Sequence, residues 1–277
     1  MPSAFLPDRA FVQISGADAE HFLQNLITTD LGALTADEWR PGALLTPQGK
    51  IFYDFLISRS GDGFMIDIRA DQMEAFVKRM TMYKLRAAVT IETPPETGAT
   101  VIWGEACDSA TDHRFALAGT EVRRQPGRID GAGDRGGYDA LRILHGVPES
   151  GADYALQDAF PHDILFDKSG GVSFRKGCYV GQEVVSRMQH RSTARRRLVI
   201  VSGEAPLPAS GSEITIGGRS IGALGTVAGE RGLAIVRIDK AGEAMAASDP
   251  ILAGDVPVSL ALPGWTALTF PTSAEEA

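Results

Sequence analysis

One cysteine in the sequence stands among residues that favour chemical reactivity. Cys178 lies within residues 176–183, which read Lys-Gly-Cys-Tyr-Val-Gly-Gln-Glu. The adjacent positive charge of Lys176 favours a thiolate over a thiol, and so does a helix that begins shortly after the cysteine. The residues alone leave a second interpretation open, since free cysteines are more often small buried side chains without a chemical role.

The residues that follow predict the element that positions this cysteine. Between residues 181 and 190, apolar side chains recur at helical spacing, which indicates a short helix. Glu183 and Arg187 are spaced for an ion pair along that helix. Gly177 and Gly181 allow a tight backbone around the sulfur, with positive φ where it is needed.

Positive charge is concentrated around the same segment. Residues 175–197 carry seven arginines and lysines against one glutamate, whereas the whole chain has a net charge of −8. The acidic balance argues against general nucleic-acid binding. The local positive charge suits an anionic small ligand, such as a polyglutamate tail, or an acidic partner surface. A solvated helix end explains it equally well.

The composition is that of a globular protein large enough for two domains. The chain has 277 residues, of which 44% are hydrophobic and 22% are charged. No apolar run is long enough to span a bilayer, and the first residues lack a signal-peptide pattern, so no membrane association is expected. Two cysteines do not make a disulfide framework, which predicts a cytoplasmic protein. They cannot form a four-cysteine metal site either, so no resident metal is predicted.

The second cysteine stands in a different setting. Cys107 has Glu105 and Asp108 beside it, and negative charges disfavour a thiolate. We therefore expect Cys107 to have a structural role.

Local patterns in the first part of the chain predict a mixture of helices and strands. Ser15 and Asp18 have the spacing of a capping box before a first helix, and Asp71 and Glu74 have the same spacing before a second. Residues 60–63, Ser-Gly-Asp-Gly, predict a hairpin turn. The predicted strands are residues 11–14, 51–57 and 64–68. The clearest predicted helix is residues 71–83, whose expected buried face carries Met73, Phe76, Val77 and Met80.

The character of the sequence changes after Arg197. Short apolar stretches separated by glycine and proline turns predict a small β-barrel. The predicted strands are residues 198–201, 213–216, 220–224, 233–237 and 256–260. The sequence therefore predicts an α+β region over residues 1–195 and a barrel over residues 196–277. The polar residues 272–277 predict a frayed tail.

Residues 176–183 resemble the signature of the YgfZ/Iba57 family, which is related to the aminomethyltransferase (T-protein) of glycine cleavage. Other stretches are similar to the family as well: Thr-x-Asp-Leu at 28–31, Tyr-Lys-Leu-Arg at 83–86 and Arg-Ile-x-x-Gly-x-Pro at 142–148. The resemblance implies two interleaved T-protein-like lobes around a central folate-binding pocket, followed by a C-terminal β-barrel.

The same resemblance implies a tetrahydrofolate site and a working cysteine. Asp54 interrupts an apolar strand and matches the acidic residue that faces the pterin ring, where a carboxylate can accept paired hydrogen bonds. An exposed position on an edge strand explains Asp54 equally well from the residues alone. Cys178 and Lys176 are the implied working pair, and further ligand contacts are expected from Tyr179, Gln182, Glu183, Arg142 and Asp163.

Two of these expected contacts carry an alternative. A structural ion pair also explains Arg142, which lies on a predicted helix. Asp163 stands where many relatives of the family have glutamate, and its shorter side chain leaves its contact open.

The function implied by the resemblance is the assembly or repair of iron–sulfur clusters, particularly 4Fe–4S clusters, in client enzymes. Cys178 is then expected to bind iron or a cluster transiently, or to accept a one-carbon or sulfur species. One thiolate cannot hold a cluster alone, so assembly proteins or client enzymes are the expected partners. Three alternatives stay open: an aminomethyltransferase-type enzyme, a folate-sensing or storage module, and a demethylase-type oxidase, whose usual flavin domain the sequence lacks.

Overall fold

The fold is described from a computed structural model, and the residues described are 2–104, 108–191 and 194–271. The prediction for Cys107 and the prediction of a frayed tail at residues 272–277 fall outside these ranges. None of the helices in the described ranges is long and apolar enough to cross a membrane.

The chain divides into two compact units. The first consists of Met1–Tyr138 and Phe166–Gln182, and the second of Asp139–Leu165 and Glu183–Ala277. The boundary between residues 195 and 196 stays a prediction about sequence domains, since the compact units are each built from two separate stretches.

The first unit is built on an eight-stranded sheet. Its strands are β1 (Ser3–Ser15), β2 (Glu38–Leu45), β3 (Ile51–Ser60), β4 (Gly63–Arg69), β5 (Thr90–Glu92), β6 (Thr97–Trp103), β7 (Ala110–Asp112) and β8 (Val122–Pro126). They follow the order β4-β3-β2-β7-β8-β6-β1-β5, and β1 pairs additionally with β4. The pairing of β2 with β7 is parallel, and the other pairings in this sheet are antiparallel.

Helices cover part of this sheet. They are α1 (Ala19–Gln24), α2 (Ala70–Lys84) and α3 (His113–Ala116), and α4 (Arg135–His145) begins in the first unit. One apolar core combines side chains of α1 and α2 with the side chains of β1, β3 and β4 that face them. Phe76 and Met80 of α2 are fully buried in it, which confirms the predicted helix and its buried face.

Both predicted capping boxes are wrong. Asp18 precedes α1 but makes no cap to it, because its carboxylate accepts a hydrogen bond from the Ala88 N–H at 2.7 Å instead. Asp71 is occupied by an ion pair with Arg69 at 2.5 Å. In both places the carboxylate accepts from another donor, the Ala88 N–H or the Arg69 guanidinium, rather than from the N–H groups of the first helical turn.

Strand β1 is longer than the predicted strand at residues 11–14. It starts at Ser3 and passes through Pro7 and Asp8, residues that usually end a strand. Its pairing with β6 shifts register between Leu6 and Ala10, and this irregularity accommodates the proline.

The second unit contains the predicted barrel. Its strands are β9 (Arg196–Gly203), β10 (Glu213–Ile216), β11 (Arg219–Ala228), β12 (Arg231–Arg237), β13 (Ile251–Ala253) and β14 (Val256–Ala261). They close in the order β10-β11-β12-β9-β14-β13. Helix α6 (Ile238–Ala247) and the short strand β13 were not predicted. Helix α5 (Gln182–His190), most of which belongs to the second unit, confirms the helix predicted after the cysteine.

Candidate functional site

Cys178 lies on an irregular loop that leads into α5, and its side chain is exposed. It is a free cysteine. The interpretation as a small buried side chain is therefore wrong. The predicted stabilisation of its thiolate stays a prediction.

Lys176 anchors this loop from the N-terminal side of the cysteine. The side chain is buried, and its Nζ group donates hydrogen bonds to the carbonyl oxygens of Ile27 at 2.9 Å and Thr29 at 2.6 Å. The same nitrogen lies 5.6 Å from the centre of the Tyr179 ring. No hydrogen bond or ion pair joins Lys176 to Cys178 in the described ranges. The contacts of Lys176 thus hold the backbone of the loop in place.

Burial also changes the protonation of Lys176. Desolvation lowers the pKa of Lys176 to about 8, and the negative charge of Asp30 acts in the opposite direction. An ammonium group held by two main-chain carbonyls is a directional anchor, because each N–H points at one acceptor.

The segment that receives Lys176 is itself tied to the sheet. The Thr28 hydroxyl donates to the carbonyl oxygen of Gly171 at 2.5 Å and accepts from the Ala43 N–H of β2 at 2.9 Å. The Ser173 N–H donates to the carbonyl oxygen of Thr28 at 2.9 Å. One buried threonine therefore connects β2 with the approach to the cysteine loop, which the sequence analysis missed.

Gly181 anchors the loop on the other side of the cysteine. Its φ of +79° favours glycine, and an added Cβ would lie 2.5 Å from the carbonyl oxygen of Thr46 and 3.0 Å from the Leu45 Cβ. The loop is therefore seated against the turn between β2 and β3. Gly177 has open space and no positive φ, so the predicted need for glycine holds only at Gly181.

The remaining residues of the motif differ in exposure. Tyr179 is 6% exposed, and burial raises the pKa of its hydroxyl to about 12. That hydroxyl has no hydrogen-bond partner among the described residues. Gln182 is half-buried at the start of α5, and its N–H donates to the carbonyl oxygen of Tyr179 at 3.3 Å. Glu183 is exposed and forms the predicted ion pair with Arg187 at 2.6 Å.

Asp54 presents a carboxylate that has no partner among the residues that the structure describes. It lies on β3 opposite Ala43 of β2, and it is half-buried. Within the described ranges it makes no hydrogen bond or ion pair. Because alternate residues share a face, Asp54 points to the side of Leu56 and away from the core that holds Phe55. Strand β3 lies between β2 and β4, so the interpretation as an exposed edge position is wrong.

A buried ion cluster lies on the same face of the sheet. Asp67 of β4 is opposite Leu56 and accepts hydrogen bonds from Arg9 at 2.6 Å and from Arg124. Burial alone would raise the pKa of Asp67, but the two arginines outweigh it and lower that pKa. An acid inside an apolar strand is visible in the sequence, but its arginine partners, 58 and 57 residues away, could not be identified from it.

Arg142 occupies a closed structural cluster in the second unit. The side chain is 0% exposed, and its N–H groups donate to the Asp139 carboxylate, the Val147 carbonyl, the Asp153 carboxylate at 2.8 Å and the Thr226 hydroxyl. A ligand would have to displace one of these bonds. The contacts support the ion-pair alternative for Arg142 rather than the ligand contact.

Asp163 is also buried in the second unit. Its carboxylate accepts from the Phe160 N–H at 3.1 Å, and its carbonyl oxygen accepts from the Leu198 N–H at 2.8 Å. Arg196 lies 3.9 Å from the carboxylate. These contacts tie the start of β9 to the preceding loop, and the contact of Asp163 with a ligand stays a prediction.

The positive segment at residues 175–197 is partly neutralised or buried. Lys176 is buried against carbonyls, Arg187 pairs with Glu183, and Arg197 donates to the carbonyl oxygen of His162 at 2.8 Å. The number of cations in the sequence therefore overstates the charge that a ligand would meet.

The fold places the chain in a known structural class. It superposes on a crystal structure of the glycine cleavage system aminomethyltransferase T from Bartonella henselae with a TM-score of 0.71 at 14% identity, covering 98% of this chain and 86% of that one. Residues 195–268 match the family described as "CAF17, C-terminal beta-barrel domain". The chain thus has the aminomethyltransferase fold with a C-terminal barrel, as predicted.

Sequence relatives define the family more narrowly. The human mitochondrial iron-sulfur cluster assembly factor IBA57 is 30% identical, with 85% of this chain and 77% of the human protein covered. The mouse protein of the same name is 31% identical, with 84% and 76% covered. A homologue from Pyricularia oryzae is 30% identical, and the alignment covers 70% of this chain but only 55% of that protein. The chain belongs to the IBA57 family.

The prediction of a cytoplasmic location is wrong. The human, mouse and fungal relatives are all mitochondrial proteins. The prediction rested on the low number of cysteines, which argues for a reducing environment but does not separate one such compartment from another.

Proposed function

We propose that this chain assists the assembly of iron–sulfur clusters, with Cys178 as its working side chain. The relatives that define its family are named as cluster assembly factors. The observation that carries the proposal is an exposed thiol on a loop fixed on both sides, by Lys176 before it and by Gly181 after it. A side chain held at a set position in solvent is suited to meet another protein.

The chemistry follows from what a thiolate can bind. Thiolate sulfur is the usual protein ligand of iron in clusters, and Cys178 offers one such ligand. A cluster needs several, so a partner protein or a second protomer must supply the rest. The proposed event is a transient one, in which Cys178 completes the ligand set of iron or of a cluster that is being transferred.

The proposal includes tetrahydrofolate as a ligand of the first unit. Asp54 fits that role because its carboxylate is half-buried and makes no hydrogen bond to another described residue, so its oxygens suit the amino and N–H donors of a pterin ring. The unpartnered Tyr179 hydroxyl and the half-buried Gln182 are further candidates to hold the ligand. Bound tetrahydrofolate would supply a carrier for one-carbon units.

One-carbon transfer of the aminomethyltransferase type is the second candidate. It is favoured by the shared fold and by the unpartnered Asp54 carboxylate. It gives no role to an exposed cysteine, which is the basis for separating the two candidates.

The test uses cells that lack this protein and carry a variant copy of it. We expect the wild-type chain to restore the activity and cluster content of a 4Fe–4S enzyme, and Cys178→Ala to fail at equal protein level. Cys107→Ala is the matched control, since it removes the only other cysteine, and it should restore activity. If Cys178→Ala restores activity fully, the proposal is wrong, and one-carbon transfer becomes the leading function.

The folate part is tested separately. Titration of the purified protein with tetrahydrofolate should show binding that Asp54→Asn weakens by roughly tenfold or more, as expected for losing a charged acceptor. Asp62→Asn, in the turn after β3, is the matched control and should bind as the wild type does. Equal binding by Asp54→Asn and the wild type would remove Asp54 from the site.

A further inference from the structure

The solvent face of α2 ends in two exposed apolar side chains. Met82 is 60% exposed and Leu85, the residue after the helix, is 86% exposed. The two are three residues apart in the sequence, one in the last turn of α2 and the other immediately after it. The opposite face of α2 is already in the core through Phe76 and Met80. The exposed pair is thus a separate apolar surface.

The backbone holds Leu85 outward in an unfavourable conformation. Its φ of 47° and ψ of −105° lie in a region of backbone conformation that glycine adopts readily and leucine rarely. The turn is fixed by hydrogen bonds from the Ala87 N–H to the Lys84 carbonyl at 2.9 Å and from the Val89 N–H to the Ala87 carbonyl at 2.8 Å. A strained residue that also exposes a large apolar side chain is an indication of function rather than of stability.

Positive charge surrounds this apolar pair. Residues 75–91 contain no acidic residue and four basic ones, Lys78, Arg79, Lys84 and Arg86, in a chain whose net charge is −8. Arg79 is engaged with the rings of Phe52 and Tyr83, at 5.0 and 5.9 Å from their centres. The other three cations have no ion pair in the described part of the chain. Their charge is available to an outside ligand.

We propose that the α2 patch, defined as Lys78, Met82, Lys84, Leu85 and Arg86, docks an acidic segment of a partner protein. An apolar side chain of that segment would cover Met82 and Leu85, and its carboxylates would meet the unpaired cations. The inference deepens the proposed function, because the partner would be a protein that delivers or receives the cluster.

Two other occupants fit less well. A two-fold contact with a second copy would bring the cations of both patches together, which is unfavourable. A membrane surface would find only two apolar side chains, since the rest of the apolar face of α2 is in the core.

A photo-crosslinking amino acid at position 82 tests the docking directly. In cells we expect an adduct from position 82, and mass spectrometry should map it to a segment of another protein with more acidic than basic residues. Ala75 lies on the same exposed face two turns earlier and is the matched control position. An adduct with this chain itself, with lipid or with a basic segment would overturn the proposal, and so would no adduct.

Cells that lack the protein supply the second test. We expect Leu85→Glu to lower the restored 4Fe–4S enzyme activity by roughly fivefold or more, as for a hot-spot residue of a protein–protein interface. Ala246→Glu adds the same charge at an exposed position of α6, away from the patch, and should leave activity unchanged. Leu85→Gly removes the side chain while suiting the backbone, and it should behave as Leu85→Glu does.

The outcomes separate the two proposals. If the wild-type chain itself fails to restore activity, the proposed function is wrong, and the crosslink still decides the docking. If the wild type, Leu85→Glu and Leu85→Gly restore activity equally, the docking proposal is wrong while the proposed function stands.

Discussion

The cysteine loop and the Arg142 cluster use buried charge in opposite ways. The Arg142 guanidinium lies at the centre of its cluster, and its N–H groups donate hydrogen bonds to acceptors within the second unit. In the loop the buried cation of Lys176 lies at the periphery, and it holds backbone so that Cys178 stays in solvent. The buried charge of Arg142 thus stabilises its own unit, whereas the buried charge of Lys176 positions a loop that carries an exposed thiol.

The largest effect on stability is expected from breaking the Arg142 cluster. Arg142→Met leaves the buried carboxylate of Asp153 without its cation, and removing one partner of a buried pair costs about 3–5 kcal/mol. Urea unfolding measures this loss. Arg187→Ala removes an exposed ion pair and is the control, with an expected loss of about 0–1 kcal/mol. Equal losses in the two variants would contradict a structural role for Arg142.

The second effect concerns acid stability and Asp67. Because the folded protein lowers the pKa of this carboxyl, its contribution is present above the ordinary value near 3.8 and is lost as pH falls through the folded value. Asp67→Asn should be less stable at neutral pH, and its stability should fall less between pH 7 and pH 3. Unfolding at both pH values in both proteins measures the difference, and equal falls would show that Asp67 does not titrate as described.

A smaller loss is expected at Lys176. Lys176→Met keeps the buried aliphatic chain but leaves the carbonyls of Ile27 and Thr29 without a donor, at a cost of about 1–3 kcal/mol. Hydrogen exchange at residues 177–181 should rise relative to the wild type, while exchange in the barrel strands should not change. Unchanged exchange in the loop would show that Lys176 is not its anchor.

The smallest effect on stability is expected at the residue with the largest proposed role. Cys178→Ala changes an exposed side chain, so its free energy of unfolding should stay within about 0.5 kcal/mol of the wild type. A larger loss would indicate that Cys178 packs against its neighbours, and the loop would then resemble the Arg142 cluster.

Much of the fold could be predicted from local patterns. The buried face of α2, the helix after the cysteine and the barrel strands follow from periodicity, which depends on neighbouring residues only. The caps of α1 and α2 were mispredicted, since Asp18 and Asp71 found other partners. Strand β1 was predicted too short because a register shift that tolerates Pro7 depends on its pairing with β6.

The candidate site could be predicted only in part. The chain itself places Lys176 next to Cys178, but the acceptors of its Nζ group lie about 150 residues earlier, at Ile27 and Thr29, so only the fold brings them together. Sequence separation also hid the role of Thr28, whose acceptor Gly171 is 143 residues away, and the arginine partners of Asp67, which are 58 and 57 residues away. Gly181 was predicted correctly because positive φ is a local requirement.

The most direct test of the account is the rate at which iodoacetamide alkylates Cys178 in the native protein at neutral pH. Peptide mass spectrometry resolves this cysteine from Cys107, and the rate for free cysteine is the reference. An exposed thiol on an anchored loop is predicted to react at least as fast as free cysteine without unfolding. Alkylation that requires denaturant, or that is much slower than for free cysteine, would contradict the claim that the loop presents Cys178 for chemistry.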